Sequence, residues 1–235
     1  MLLGLPRMLF CIAFLCRFCY TGCMDFIRLH QQNAMLFLSG TCFVLSLLSF
    51  FSKTLGTKRR LTLMGMEFVA GMLLIMDRFA YIYRGNVSVT GWWMVRISNF
   101  SVFFFSLCIL HTYTVYLMDL YTHEGGLARA PIKLRISNAV FVFGVVMLIV
   151  SQFFGLYYTF VASNRYQRGR LHILSYLIPG TCAMLQFTTI LQYHKRIKSA
   201  ILIPILLFNI VPIIATVIQF FHYGISCQSI ALVGK

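Results

Sequence analysis

Apolar residues in this chain run in blocks of about twenty, closed by clusters of charge or by turn residues, and a membrane-crossing helix needs about 20 mainly apolar residues. Seven such windows are present, at 8 to 27, 33 to 52, 61 to 83, 93 to 118, 136 to 160, 171 to 193 and 199 to 221. Arg17 and Asp25 interrupt the first of them, whereas the windows after Arg135 and Lys198 are the cleanest. An eighth apolar stretch begins at Gly224 and stops at Lys235, too short to cross. The pattern predicts an all-α polytopic membrane helix bundle with seven complete spans and a truncated eighth. Residues 1 to 235 form one membrane-embedded module, because the longest loop, Asp119 to Arg135 with Gly125, Gly126 and Pro131 in it, is too short to fold alone.

Composition agrees with that reading. Of 235 residues, 60% are hydrophobic and 11% are charged, with mean hydropathy +0.83, values that lie outside the soluble class. Twenty Lys and Arg against five Asp and Glu give a net charge of +15. These charges sit between apolar runs and not on a solvated surface, which excludes a nucleic-acid-binding module. Alternate loops are unequal in Lys and Arg. One side holds Arg7, Lys53, Lys58, Arg59, Arg60, Arg129, Lys133, Arg135, Lys195, Arg196 and Lys198, the other Arg28, Arg84, Arg165, Arg168, Arg170 and Lys235. The positive-inside rule then places the N-terminus and the 119 to 135 loop in the cytoplasm of a multi-pass cell-membrane protein. The first stretch lacks a cleavage site for a signal peptide, so the first spans themselves are expected to direct insertion.

Ionisable groups inside apolar windows persist when they are paired or solvated. Asp77 and Arg96 lie roughly 9 and 6 Å below one membrane face at about 1.5 Å per residue, and an ion pair between them is expected, either as a structural lock of the hairpin or as part of a ligand or proton site. Asn99, on the face of Arg96, is expected to accept a hydrogen bond from it or to orient it. Glu67 is expected to snorkel toward the Lys58 to Arg60 cluster. On the outer face Arg84, Asn86, Trp92, Trp93, Tyr157, Tyr158, Asn164, Arg165 and Arg168 gather. An interfacial aromatic belt accounts for most of the rings. The guanidinium and amide groups also suit a pocket for a small anionic ligand.

Cys16, Cys19 and Cys23 share one helix face, yet no His joins them, so no metal site and no cofactor are expected. The eight Cys read as reduced, small apolar residues. His111 lies deep in its window and reads as a packed or hydrogen-bonded side chain. Pro179, Pro204 and Pro212 free backbone carbonyls, as hinges or as ordinary features of packed membrane helices. No nucleotide-binding, zincin or nucleophile-elbow motif occurs, and no enzyme activity is expected of this chain.

Five segments carry a resemblance: Asp77 to Asn86 (DRFAYIYRGN), Trp93 to Phe100 (WMVRISNF), Glu124 to Gly126 (EGG), Ser151 to Phe160 (SQFFGLYYTF) and Asn164 to Arg168 (NRYQR). Together they resemble the N-terminal membrane module of Clostridia-type bacterial signalling proteins, from about residue 58 to 233. The resemblance implies a sensory or anchoring input unit, often followed in that group by a GGDEF diguanylate cyclase, a domain expected downstream of Lys235. The expected function is a membrane-embedded sensory input module of a bacterial signalling protein, with a small membrane transporter or channel as the alternative. The implied partners are the lipid bilayer, a small anionic ligand and a second copy of the chain.

Overall fold

The structure, a computed structural model, describes residues 30–52 and 56–221. The expected first span at 8 to 27, the partial eighth at 224 to 235 and the Cys16, Cys19 and Cys23 face lie outside the described residues. Among the described residues the chain forms six helices: α1 (His30–Phe51), α2 (Thr57–Ile82), α3 (Val89–His123), α4 (Ile132–Phe154), α5 (Leu174–Tyr193) and α6 (Ser199–Phe221). A two-stranded antiparallel hairpin, β1 (Tyr158–Phe160) and β2 (Tyr166–Arg168), stands between α4 and α5. Four helical stretches are long and apolar enough to cross a membrane, His30–Phe51, Val89–His123, Ile132–Phe154 and Leu174–Arg196. The all-α expectation holds.

Two boundaries differ from the sequence reading for local reasons. The window at 136 to 160 ends as a helix at Phe154, because Gly155 takes the left-handed conformation (φ 59°) and returns its N–H to the Ser151 carbonyl at 2.9 Å. A glycine just past the last turn adopts that conformation without Cβ strain, which is the usual way a helix closes. The aromatic and β-branched residues that follow keep hydropathy high while favouring extended backbone, so Tyr158–Phe160 is a strand and not the end of a helix. The window at 93 to 118 extends at both ends to Val89–His123. Ser88 caps its start, its Oγ accepting the Gly91 N–H at 3.1 Å, and the Asn86 Oδ1 accepts the Ser88 N–H at 2.9 Å. Gly91 is required there: a Cβ would come within 2.6 Å of the Asn86 carbonyl oxygen.

Successive helices run antiparallel, which gives the bundle two ends. The loops at 83–88 and 155–173 form the hairpin end, and those at 124–131 and 194–198 the opposite, ionic end. The larger core cluster joins Met66, Ala70 and Leu73 of α2 to Ile109, Tyr113, Leu117 and Tyr121 of α3, with Leu134, Ile190 and Ile205 from the later helices. Nearer the hairpin, Leu107, Leu148 and Ile178 pack with Tyr157 and Tyr158. Helix α6 is tied to α3 by Tyr113, whose hydroxyl donates to the Ile205 carbonyl at 2.9 Å and accepts from Asn209 at 3.2 Å.

The ionic end is closed by charge. Asp119, with a side chain only 6% exposed, lies 3.5 Å from both Lys58 and Arg59 and 3.3 Å from His123. Arg59 also pairs with Glu124, whose side chain is 37% exposed, and Arg196 donates to the Gly125 carbonyl at 3.4 Å. Glu67 does not reach this cluster as expected. It lies instead near Cys42 of α1, the helix whose Phe43 packs on Phe68 and Gly71 of α2. Removing one member of a buried ion pair costs about 3–5 kcal/mol, against at most about 1 kcal/mol for an exposed one. Asp119→Asn should therefore lower the unfolding temperature in detergent far more than Glu124→Gln does. Equal losses, measured by thermal unfolding of the two variants, would show that burial of Asp119 does not set the strength of this cluster.

Candidate functional site at the hairpin end

Of the residues expected on the outer face, Asn86, Trp92 and Asn164 meet around Arg96, and the β-hairpin is what brings them together. Asn164 sits at its tip in the left-handed conformation (φ 52°), which asparagine tolerates better than most residues. It is 3% exposed, and each of its polar groups has a partner. Its N–H donates to the Val161 carbonyl at 2.9 Å, closing the turn, and its carbonyl accepts the Gly85 N–H at 3.1 Å. Its Nδ2 donates to the Asn86 carbonyl at 2.7 Å, and its Oδ1 accepts from Arg96 Nη1 at 3.0 Å. One side chain thus joins the hairpin, the α2–α3 turn and the first turns of α3.

Arg96 is held from several directions. Its Nη1 also donates to the Trp92 carbonyl at 3.0 Å, and its guanidinium carbon lies 3.7 Å from the centre of the Trp92 ring and 4.7 Å from that of Phe160. A guanidinium between two aromatic faces gains about 0.5–2 kcal/mol per contact, more as water is excluded. The expected pair of Arg96 with Asp77 is not among the ion pairs of the described residues. Arg96 turns instead to Asn164, an acceptor at the hairpin tip that the sequence reading places on the outer face without joining it to Arg96. Asp77 is buried in α2. Asn99 does not orient Arg96 either; its amide donates back to the Val95 carbonyl one turn earlier, at 2.7 Å.

The other expected residues divide into two groups. Tyr157 and Tyr158 are buried beneath the hairpin. Tyr158 stacks on Phe103 at 5.4 Å and shares hydrogen bonds with the Gln152 amide, and the Tyr157 N–H donates to Ser151 Oγ at 2.8 Å, so both rings are core and not rim. Arg84, Arg165 and Arg168 are exposed, and Trp93 stands edge-on to Trp92 at 4.8 Å, also exposed. The 83–88 and 155–173 loops contain no carboxylate, since no Asp or Glu occurs from 78 to 118 or after 124. The site is therefore a cationic, aromatic rim around a fully bonded Asn164.

Sequence reasoning missed His172 and the ionic end. His172 Nδ1 lies 3.1 Å from the Tyr157 carbonyl, which only accepts, so Nδ1 carries the proton and donates. Its Nε2 is buried with no hydrogen-bond partner among the described residues. Burial first, and then the Arg168 charge, pull the imidazole below its ordinary range, against a smaller opposing effect of the Tyr157 carbonyl. The signal in the sequence was weak: a lone His beside an Arg-rich loop. Asp119 and Glu124 were legible as charges, but their partners come from a helix about sixty residues earlier. His111, by contrast, is packed as expected, 3.2 Å from Asn138 Oδ1 and stacked on Phe141 at 4.3 Å. It borders a shallow groove of about 340 Å³ between α2 and α3 with Lys58, Leu61 and Thr62. Among the described residues no group of three or more His, Cys, Asp or Glu could hold a metal, and Cys42, Cys108 and Cys182 are free thiols.

The lowered His172 value sets a pH dependence. The unfolded chain takes up its proton near the ordinary imidazole pKa of about 6.5, before the folded chain does. The stability due to neutral His172 is thus complete above that pH and is lost as the pH falls through the lowered native value. Thermal unfolding in detergent from pH 8 to 5 should show this loss in the wild type and a flatter profile in His172→Gln; identical profiles would refute the assignment. Compared with protein-family models, with curated proteins and with solved structures, the chain matches none.

Proposed function

We propose that this chain is a membrane-embedded input module, in which a ligand or membrane property at the hairpin end shifts helix packing and thereby biases a cytoplasmic output partner at the ionic end. The observation that carries the reading is α3. It is 35 residues long, and it bears Arg96 of the hairpin network near its start and Asp119 of the ionic cluster near its end. At 1.5 Å per residue the two lie about 35 Å apart, close to the roughly 30 Å of a bilayer's hydrocarbon. One rigid element is thus bonded to a polar network on either side of an apolar zone. In this proposal the four apolar stretches, α2, α6 and the 8 to 27 window make seven spans, with the partial eighth beyond them. The N-terminus and the ionic end are cytoplasmic. The resemblance to signalling membrane modules supports a GGDEF-type output, carried on the same polypeptide or on another.

A small transporter or channel is the second reading, and one observation favours it. Gln186 is fully buried and donates to the Leu110 carbonyl at 2.9 Å and to Thr114 Oγ1 at 2.8 Å, with Ser137 3.2 Å from that hydroxyl. Gln186 Oε1 and Asn209 Oδ1 are buried without hydrogen-bond partners among the described residues, as acceptors along a solute path would be. Solute flux into proteoliposomes separates this reading from the first, which requires none.

Coupling between the two ends is the direct test of the input role. Nitroxide labels at Ala128 and Lys195, in loops of the ionic end, report its geometry by double electron–electron resonance on the full chain in lipid nanodiscs, with native cysteines replaced. Asn164→Gly loosens the hairpin network and should shift or broaden the distance distribution by a few ångströms. An unchanged distribution, alongside a hairpin shown to be loosened, would mean that α3 carries nothing between the ends.

A further inference from the structure

The Gly85 N–H bonded to the Asn164 carbonyl brings two turns into register, and with them two arginines that follow each other in space and not in sequence. The Arg165 Nε lies 3.6 Å from where a Cβ on Gly85 would stand, so its side chain folds over the residue next to Arg84. Both arginines are exposed. Neither side chain has a hydrogen-bond or ion-pair partner among the described residues. No carboxylate occurs in either loop, and the described ion pairs all lie at the opposite end. Cationic side chains rooted on two adjoining turns attract an anion, and a phosphate oxygen pair matches the guanidinium fork.

We infer that Arg84 and Arg165 form a binding site for the phosphate of an acidic phospholipid in the leaflet at the hairpin end. A lipid fits better than a soluble anion because of what flanks the cations. Trp92 is 42% and Trp93 57% exposed, the pose of rings seated at headgroup depth. Val87 and Val89 on the same turn are also exposed, an apolar surface that an acyl chain covers and a free phosphate does not. The arginines here sit on the side that carries fewer cations, so orientation during insertion does not account for them. Their pairing across two loops follows from the backbone bond at Gly85. The site rests on the chain's placement in a membrane and not on the input role. Lipid binding is read without any signalling output, so its failure and that of the input role are distinguishable.

The full chain, reconstituted in nanodiscs of phosphatidylcholine with a minor share of phosphatidylglycerol and released for native mass spectrometry, should retain phosphatidylglycerol in excess of its share. Each basic residue near an acidic membrane surface contributes about 1 kcal/mol, so Arg84→Gln with Arg165→Gln should cut that enrichment by about tenfold or more. Arg129→Gln with Lys133→Gln at the ionic end should leave it intact. Both tested side chains are exposed, and wild-type helicity by circular dichroism confirms that the double variant is folded. Inorganic phosphate added to the wild type at millimolar concentration should not displace the lipid. The assignment is overturned if phosphatidylglycerol is retained no better than phosphatidylcholine, or if the double variant keeps the enrichment. Displacement by inorganic phosphate would also overturn it, in favour of a soluble anion.

Discussion

The hairpin end depends on the side chain of Asn164. Left-handed backbone at the tip, two backbone bonds and two side-chain bonds converge on this one buried residue, and they hold the turn after α2, the start of α3 and the hairpin after α4 in one piece. The interaction is strong because one partner is charged: a hydrogen bond to an ionised group contributes about 1.5–3 kcal/mol, against about 1 kcal/mol for a neutral one. It is specific because Asn164 presents both an acceptor and a donor, to Arg96 and to the Asn86 carbonyl. Asp in this place could not donate to the Asn86 carbonyl and Ser could not span both partners. Arg96 is in turn confined by Trp92 and Phe160, so that strand β1 and helix α3 share one cation.

From that constraint the distribution of charge follows. At the hairpin end an amide, the Trp92 carbonyl and aromatic faces hold Arg96, and no carboxylate is near in sequence. At the ionic end Asp119 and Glu124 take up Lys58, Arg59 and His123. The first arrangement holds its cation without a carboxylate, whereas the second ties Lys58 and Arg59 to carboxylates. The two ends of α3 are therefore anchored differently, one by an amide and aromatic faces and the other by carboxylates. A helix bonded at both ends transmits a displacement only if both anchors are stiffer than the lipid between them, and both are built from charged hydrogen bonds and ion pairs.

Much of the helical layout was legible in hydropathy alone, because a period of about twenty apolar residues is a strong signal. Ser199–Phe221 coincides with its window, and α1 and α2 fall within a few residues of theirs. The hairpin was not legible. Phe153, Phe154, Tyr157, Tyr158 and Phe160 are as apolar in a strand as in a helix, and only Gly155 marks the break. The candidate rim was legible as residue types, since Asn86, Trp92, Asn164 and Arg165 do come together. Its wiring was not, because the partner of Arg96 lies 68 residues away in a turn whose approach to α3 no local pattern encodes. Tyr157 and Tyr158 show the converse: in sequence they resemble belt residues, yet the strand buries them.

The claim on which all this rests is that Arg96 and Asn164 are energetically coupled, and a double-mutant cycle measures that coupling. Arg96→Gln, Asn164→Gly and the double variant would be compared with the wild type by reversible unfolding in mixed micelles. Glycine keeps the left-handed backbone accessible, so the cycle reads the side-chain bond and not tip strain. A coupling energy of about 1.5–3 kcal/mol is predicted for a charged hydrogen bond in this setting. Losses that add to within about 0.5 kcal/mol would contradict the account, because they would show the two residues acting independently.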